Sequence, residues 1–237
     1  MKAAKPGANA SPSGRTVVFA FAIAVAAAVA LVAVALLLRG GDDSRDPSGT
    51  PAVDLEGIPQ DRLVLGSTSA NVTLIEYADL QCPFCRDYSE RVFPAIVDEY
   101  IRPGTIGTEF RGLAFLGPDS EKALRLVLAA GLQDRLWQLQ EALFAFQGDE
   151  NSGWVTDDLV RRLAGDIPGL DVDRMFSDAE STEVTQMIQE ASRQAQADQV
   201  PGTPTFFIRI GGDDPYQIQV RLDPAAFRAA LDDALQG

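Results

Sequence analysis

The chain contains no histidine, and only two cysteines among its 237 residues. Without imidazole there is no Ser-His-Asp or Cys-His catalytic group and no imidazole ligand for zinc or copper. Two thiols cannot build a four-thiolate zinc site within one chain. Basic residues are scarce as well: 20 Lys and Arg stand against 34 Asp and Glu, for a net charge of −14. Lys2, Lys5 and Arg15 precede Thr16, so the remainder is more acidic still. A body of that charge is a poor partner for nucleic acid, whose phosphates need basic contacts. No internal repeat of solenoid type is visible. What is present is 46% hydrophobic, enough to bury a core, and the length allows one domain or two small ones.

The amino end divides by composition. Residues 1–16 are basic and rich in Ala, Pro, Gly and Ser, and are expected to be a cytoplasmic tail without fixed structure. Residues 17–38 are apolar throughout, with no charge, Pro or Gly. About 20 such residues cross a bilayer as a helix. Positive charge precedes the run, while Asp42, Asp43 and Asp46 follow it. The positive-inside rule then places the body outside the cytoplasm. A cleaved signal peptide is the competing reading, but its apolar core is shorter, at roughly 7–15 residues. Either way the body is exported, to a compartment where disulfides persist. Residues 39–61 read as a flexible linker, with Gly-Gly and Asp-Pro-Ser-Gly-Thr-Pro and little apolar content.

The folded part is expected over residues 62–237. Residues 72–77, Val-Thr-Leu-Ile-Glu-Tyr, suit a strand buried on both faces. Cys82-Pro83-Phe84-Cys85 follows, then apolar residues at helical spacing from Tyr88 to Tyr100. Pro83 fits the first helical position, which makes Cys82 the N-cap and Cys85 the third helical residue. Pro94 is expected to kink this helix. A strand over residues 105–115 comes next, so the strand-helix-strand order implies parallel pairing. Helices are expected over 120–132, 134–146, 156–164, 171–176 and 182–199. A hairpin over 205–210 and 216–220 and a last helix through Leu235 complete the chain. Trp137 and Trp154 are read as packing residues.

This arrangement resembles the DsbA-like branch of the thioredoxin superfamily, exported thiol–disulfide oxidoreductases. Three features carry the resemblance: the Cys82–Cys85 motif after a strand, Gly202-Thr203-Pro204-Thr205 opening a late strand, and a helical insertion at about 118–199. It implies an α/β thioredoxin fold with a mixed central sheet. It also implies a catalytic pair at Cys82 and Cys85, with Pro83 and Phe84 between them. Substrate would meet a cis-proline at Pro204 with Thr203 before it, and Glu76 would be a buried acid six positions before the first cysteine. Partners would be reduced exported proteins and a quinone-linked membrane reoxidant. No metal or organic cofactor is implied. The best-known oxidases of the branch have histidine where this chain has Phe84, so a strongly oxidising potential does not carry over.

The residues also speak to chemistry directly. A thiolate at an N-cap is stabilised by the free first-turn amides and the helix dipole, which lowers its pKa. Cys85, one turn in, is expected to be more buried and to resolve the mixed disulfide. A purely structural bridge would close a four-residue loop worth only about 2 kcal/mol, little for a domain of this size. Three readings stay open: an oxidase, a reductase or isomerase of the same fold, and a tethered binding module whose dithiol is incidental. Glu76 is open between a proton shuttle and a half-exposed surface charge.

Overall fold

A computed structural model describes residues 51 and 53–236. The expected tail and apolar span, and most of the expected linker, lie outside the described residues. Among the described residues, no helix is long and apolar enough to cross a membrane.

A six-stranded mixed sheet organises the domain, in the order β1-β2-β4-β3-β5-β6. Its strands are β1 Gln60–Asp61, β2 Val64–Gly66, β3 Val72–Ala78, β4 Ile106–Gly112, β5 Thr205–Ile210 and β6 Tyr216–Ile218. β3 lies parallel to β4 and antiparallel to β5, with Val72 opposite Ile106 and Ile210. β5 and β6 form the expected hairpin. Because β3 is central and covered on both faces, six of its seven residues are buried. Leu74, Glu76 and Ala78 share one face, which belongs to the main core, while Ile75 and Tyr77 pack with Leu113 and Phe207 on the other.

The packed domain begins earlier than the expected boundary at residue 62. Leu55 and Ile58 are buried in the main core and β1 pairs with β2, so the end of the expected linker is part of the fold. Arg102 fixes it by donating to the carbonyls of Asp54 and Glu56 at 2.6 and 3.1 Å. Two apolar residues three apart were too weak a signal beside the Pro, Gly and Asp around them.

The helix after the cysteines is broken as Pro94 requires. α1 Pro83–Arg91 stops one residue before Val92, α2 Phe93–Ile96 follows, and a π-helical turn occupies Val97–Ile101. The insertion comprises α3 Pro118–Gly131, α4 Leu136–Ala145, α5 Asp157–Gly165, α6 Val172–Ala179 and α7 Thr182–Ala197. Thr156, Asp171 and Ser181 cap the last three with side-chain oxygens on the amides of Leu159, Arg174 and Val184. α4 packs against α1 and α3, while α7 lies against β4 and covers the second face of the sheet. α8 Pro224–Gln236 closes the main core with Phe227 and Leu231.

Aromatic contacts join the two halves. Trp137 of α4 stacks on Phe93 at 5.4 Å and meets Phe110 edge-on at 6.2 Å. Tyr88 packs with Phe206 and Phe227 at 4.6 and 5.2 Å. Trp137 is fully buried and Trp154 partly buried, in line with packing roles.

Candidate active site

The two cysteines sit where the chain leaves the carboxyl end of β3 and enters α1. Cys82 is the N-cap of α1, with extended dihedrals (φ −70°, ψ 120°), and Pro83 takes the first helical position. Both cysteines are thiols. Cys82 is 4% exposed and Cys85 is fully buried, while Phe84 between them is 61% exposed. The expected contrast between the two sulfurs is present, and the residue between them faces solvent.

The late strand supplies the other side. The Thr203–Pro204 peptide is cis. Cys82 Sγ donates to the carbonyl of Thr203 at 3.2 Å. Thr205, after the proline, donates from its hydroxyl to the carbonyl of Gly202 at 2.7 Å. The structure thus brings Thr203 and Pro204 to Cys82 across 121 residues of sequence, and hydrogen-bonding register places β5 beside β3 beneath them.

The electrostatics separate the two thiols. Cys82 is lowered from the usual thiol range to about 6. The first cause is the hydrogen bond from the Cys85 thiol, and burial opposes it. The Thr203 side chain and the amides of Cys85 and Phe84 add to the lowering. As a thiol Cys82 closes no side-chain cap bond and uses the Thr203 carbonyl instead. That carbonyl favours the protonated form, so the lowering comes from the donors that face the thiolate. Cys85 is pushed well above the usual range, first by burial and then by the charges of Cys82 and Glu76.

Glu76 is buried, 1% exposed, on the core face of β3. Its register neighbours are Phe110 on β4 and Phe206 on β5, so both flanking strands are apolar there. Its Oε1 atom has no hydrogen-bond partner. Burial raises its pKa well above the carboxylate range, and the charges of Glu141 and Cys82 add to this. The surface-charge reading of Glu76 is therefore excluded by its burial.

Several residues at the site were not legible beforehand. Asp79, fully buried, accepts from the Gln81 amide at 2.9 Å, the Ser120 hydroxyl at 2.6 Å, and the Phe115 and Leu116 amides at 3.1 and 3.3 Å. Gln147, after α4, donates to the carbonyls of Leu80 and Cys82 at 2.8 and 3.2 Å. Gln81 bonds Ser120 and Asn151. The insertion thus clamps the cysteine loop through polar side chains that no periodicity marks. Glu141 was readable in principle. In Trp137-Gln-Leu-Gln140-Glu141-Ala-Leu-Phe144, helical spacing puts Gln140 and Glu141 on the apolar face with Trp137 and Phe144.

A dithiol with one stabilised thiolate at a helix N-terminus, facing a cis-proline loop in a thioredoxin fold with a helical insertion, defines a DsbA-like thiol–disulfide oxidoreductase. The chain belongs to the thioredoxin family, whose model matches residues 59–233. Among curated relatives, the probable disulfide bond formation protein D of Bacillus anthracis is 29% identical over 151 residues, 61% of this chain and 68% of that one. Disulfide bond formation protein D of Bacillus subtilis is 28% identical over 167 residues, 68% of this chain and 71% of that one. The crystal structure of oxidised BdbD from Bacillus subtilis superposes with a TM-score of 0.66 at 24% identity, over 76% of this chain and 98% of that one, a likeness of fold.

Proposed function

We propose that Cys82 and Cys85 carry the activity, and that their disulfide passes to reduced cysteines of proteins outside the cytoplasmic membrane. The chain is a protein disulfide oxidoreductase that introduces disulfides, and its substrates are proteins with reduced cysteines. The observation that carries the direction is the place of Cys82 at the N-terminus of α1 with Cys85 buried one turn in, a setting that lowers the Cys82 thiol. Stabilising the thiolate stabilises the reduced form, and a stable reduced form makes the disulfide a better oxidant.

The exchange runs in two steps. A substrate thiolate attacks Cys82 Sγ of the Cys82–Cys85 disulfide; the new bond joins substrate to Cys82, and Cys85 leaves as a thiolate. Cys85 is buried, so its proton comes from within the protein, and the role of giving it falls in this reading to Glu76, a buried acid whose charge is felt at Cys85. A second substrate thiolate then attacks the substrate sulfur of the mixed disulfide. The substrate disulfide forms, and Cys82 leaves as the stabilised thiolate. The substrate loses two electrons, and the Cys82–Cys85 disulfide gains them and becomes the dithiol. Thr203 and Pro204 border the sulfur that is attacked, and exposed Phe84 offers apolar surface next to it.

Reoxidation requires an acceptor of two electrons, and a quinone-linked enzyme of the membrane suits a chain tethered by residues 17–38. The tail at 1–16 is then cytoplasmic and the domain extracytoplasmic. The test is the redox potential of the full chain in detergent, poised in glutathione buffers, together with its oxidation of a reduced, unfolded protein. A potential well above about −270 mV with net disulfide formation is expected. A potential near that value, with net reduction of substrate disulfides, overturns the donor reading in favour of a reductase.

A further inference from the structure

Two carboxylates, not one, are buried in the core below the cysteines. Glu141 of α4 is 2% exposed and Glu76 of β3 is 1% exposed. α1 connects them to the sulfur chemistry. Cys85 and Ser89 are four residues apart, on one buried face of α1, so Ser89 lies a helical turn below Cys85. Ser89 Oγ donates to Glu141 Oε2 at 2.7 Å. The other oxygen of Glu141, Oε1 of Glu76 and the buried hydroxyl of Tyr88 have no hydrogen-bond partner. Tyr88, beside Ser89, feels the charge of both acids.

No cation balances the pair among the described residues. On α3, Lys122 is engaged with Asp157 and Arg125 with Glu121. On α5, Arg162 lies over the ring of Phe146. The charged group that bears on Glu141 is Glu90 of α1, itself within 3.9 Å of Arg86. Besides Glu141 and Tyr88, the titratable groups coupled to Glu76 are Cys82 and Cys85. Two acids in apolar surroundings without a counter-ion do not both ionise at neutral pH.

We propose that Glu141 and Glu76 form one proton-holding pair beneath Cys85, in which Glu141, supplied by the helical insertion, is a positioning residue that keeps Glu76 protonated for transfer to the leaving Cys85 thiolate. This rests on the donor reading above. The balance is simple: Glu76 O–H breaks, Cys85 S–H forms, and the negative charge of the thiolate passes to the carboxyl pair. A negative Glu141 raises the affinity of Glu76 for its proton, and burial raises Glu141 itself to about 8. The helical insertion thereby contributes to the chemistry of the thioredoxin half and not only to its surface.

The test uses the full oxidised chain in detergent and a reduced cysteine peptide, with single-turnover rates from pH 5 to 9 divided by the peptide thiolate concentration. The wild-type rate so corrected is expected to fall at high pH as the pair loses its proton. Glu141→Gln keeps a group for Ser89 but removes the charge. It is expected to move the falling limb down by about one pH unit, a loss that sets in near pH 8 and grows toward about 10-fold at pH 9, with little change at pH 5.5. Glu76→Gln should give a low, flat profile, and the double variant should match it. A Glu141→Gln profile that superimposes on wild type, or is scaled equally at every pH, overturns the proposal. Should that variant fail to fold, carbon-13 titration of wild-type glutamate carboxyls decides: two midpoints above pH 6 support the pair, and none overturns it. Wild type that oxidises no peptide at any pH overturns the donor reading instead.

Discussion

At the scale of single residues, the asymmetry between Cys82 and Cys85 decides the chemistry. With Cys82 near 6, about nine-tenths of it is thiolate at pH 7. Its absorbance near 240 nm in the reduced chain is expected to titrate with a midpoint near pH 6. Because the first cause of the lowering is the Cys85 thiol, Cys85→Ala should move the midpoint up by a pH unit or more; an unchanged midpoint would put the helix amides first instead. Phe84 is the other lever. It is exposed beside Cys82 and carries no charge, so Phe84→His introduces a partly cationic ring next to the thiolate. The variant is expected to be more oxidising than wild type in glutathione buffer, and more so at pH 6 than at pH 8. Both levers were visible in the sequence, since position at an N-cap follows from Pro83 alone. The burial of Glu76 was less plain, because a Glu within a strand more often lies at an exposed edge, and only the central place of β3 between β4 and β5, covered on both faces, settles it.

At the scale of elements, the cysteine loop is held less by its own helix than by the insertion. Asp79 gathers four donors from three places in the chain, at Gln81, Phe115 with Leu116, and Ser120. Removing the acceptor leaves buried donors unpaired, and each costs about 1–3 kcal/mol unless water reaches it. Asp79→Ala is therefore expected to lower unfolding free energy by about 2–4 kcal/mol in urea titrations, with the midpoint falling at unchanged slope. A change below about 0.5 kcal/mol would show that the loop is held elsewhere. The helices and the strands β3 to β6 were readable to within a few residues, because apolar spacing, caps and Pro set them locally. The strand expected to reach residue 115 ends at Gly112, since the segment beyond turns to give its amides to Asp79. Such side-chain-to-backbone bonds between distant segments leave no periodic trace. Asp79, Gln81 and Gln147 consequently looked like ordinary loop polarity.

At the scale of the molecule, the topology was legible because two short motifs anchor its ends, Cys82–Cys85 after β3 and Thr203-Pro204 before β5. The buried acid pair was not, because it joins a strand of the thioredoxin half to a helix of the insertion. That pair also gives the whole fold a pH dependence. Glu141 ionises near 4.5 in the unfolded chain and only near 8 in the folded one, with burial as the first cause. Its contribution to stability is complete below about 4.5 and is lost as pH rises towards 8, and Glu76 is shifted in the same direction. Cys82 works the other way in the dithiol form: its lowered value favours the fold at high pH and loses that support as pH falls through about 6. In the disulfide form there is no thiolate, so the acids act alone. The oxidised chain should therefore melt lower at pH 8 than at pH 5, and the reduced chain should show a smaller fall. Glu141→Gln should flatten the oxidised profile, gaining on wild type by a few kcal/mol at pH 8, which at this size is about 2–4 °C per kcal/mol. Calorimetry of both redox forms at the two pH values checks this, and an equal fall in wild type and variant would place the pH dependence elsewhere in this acidic molecule.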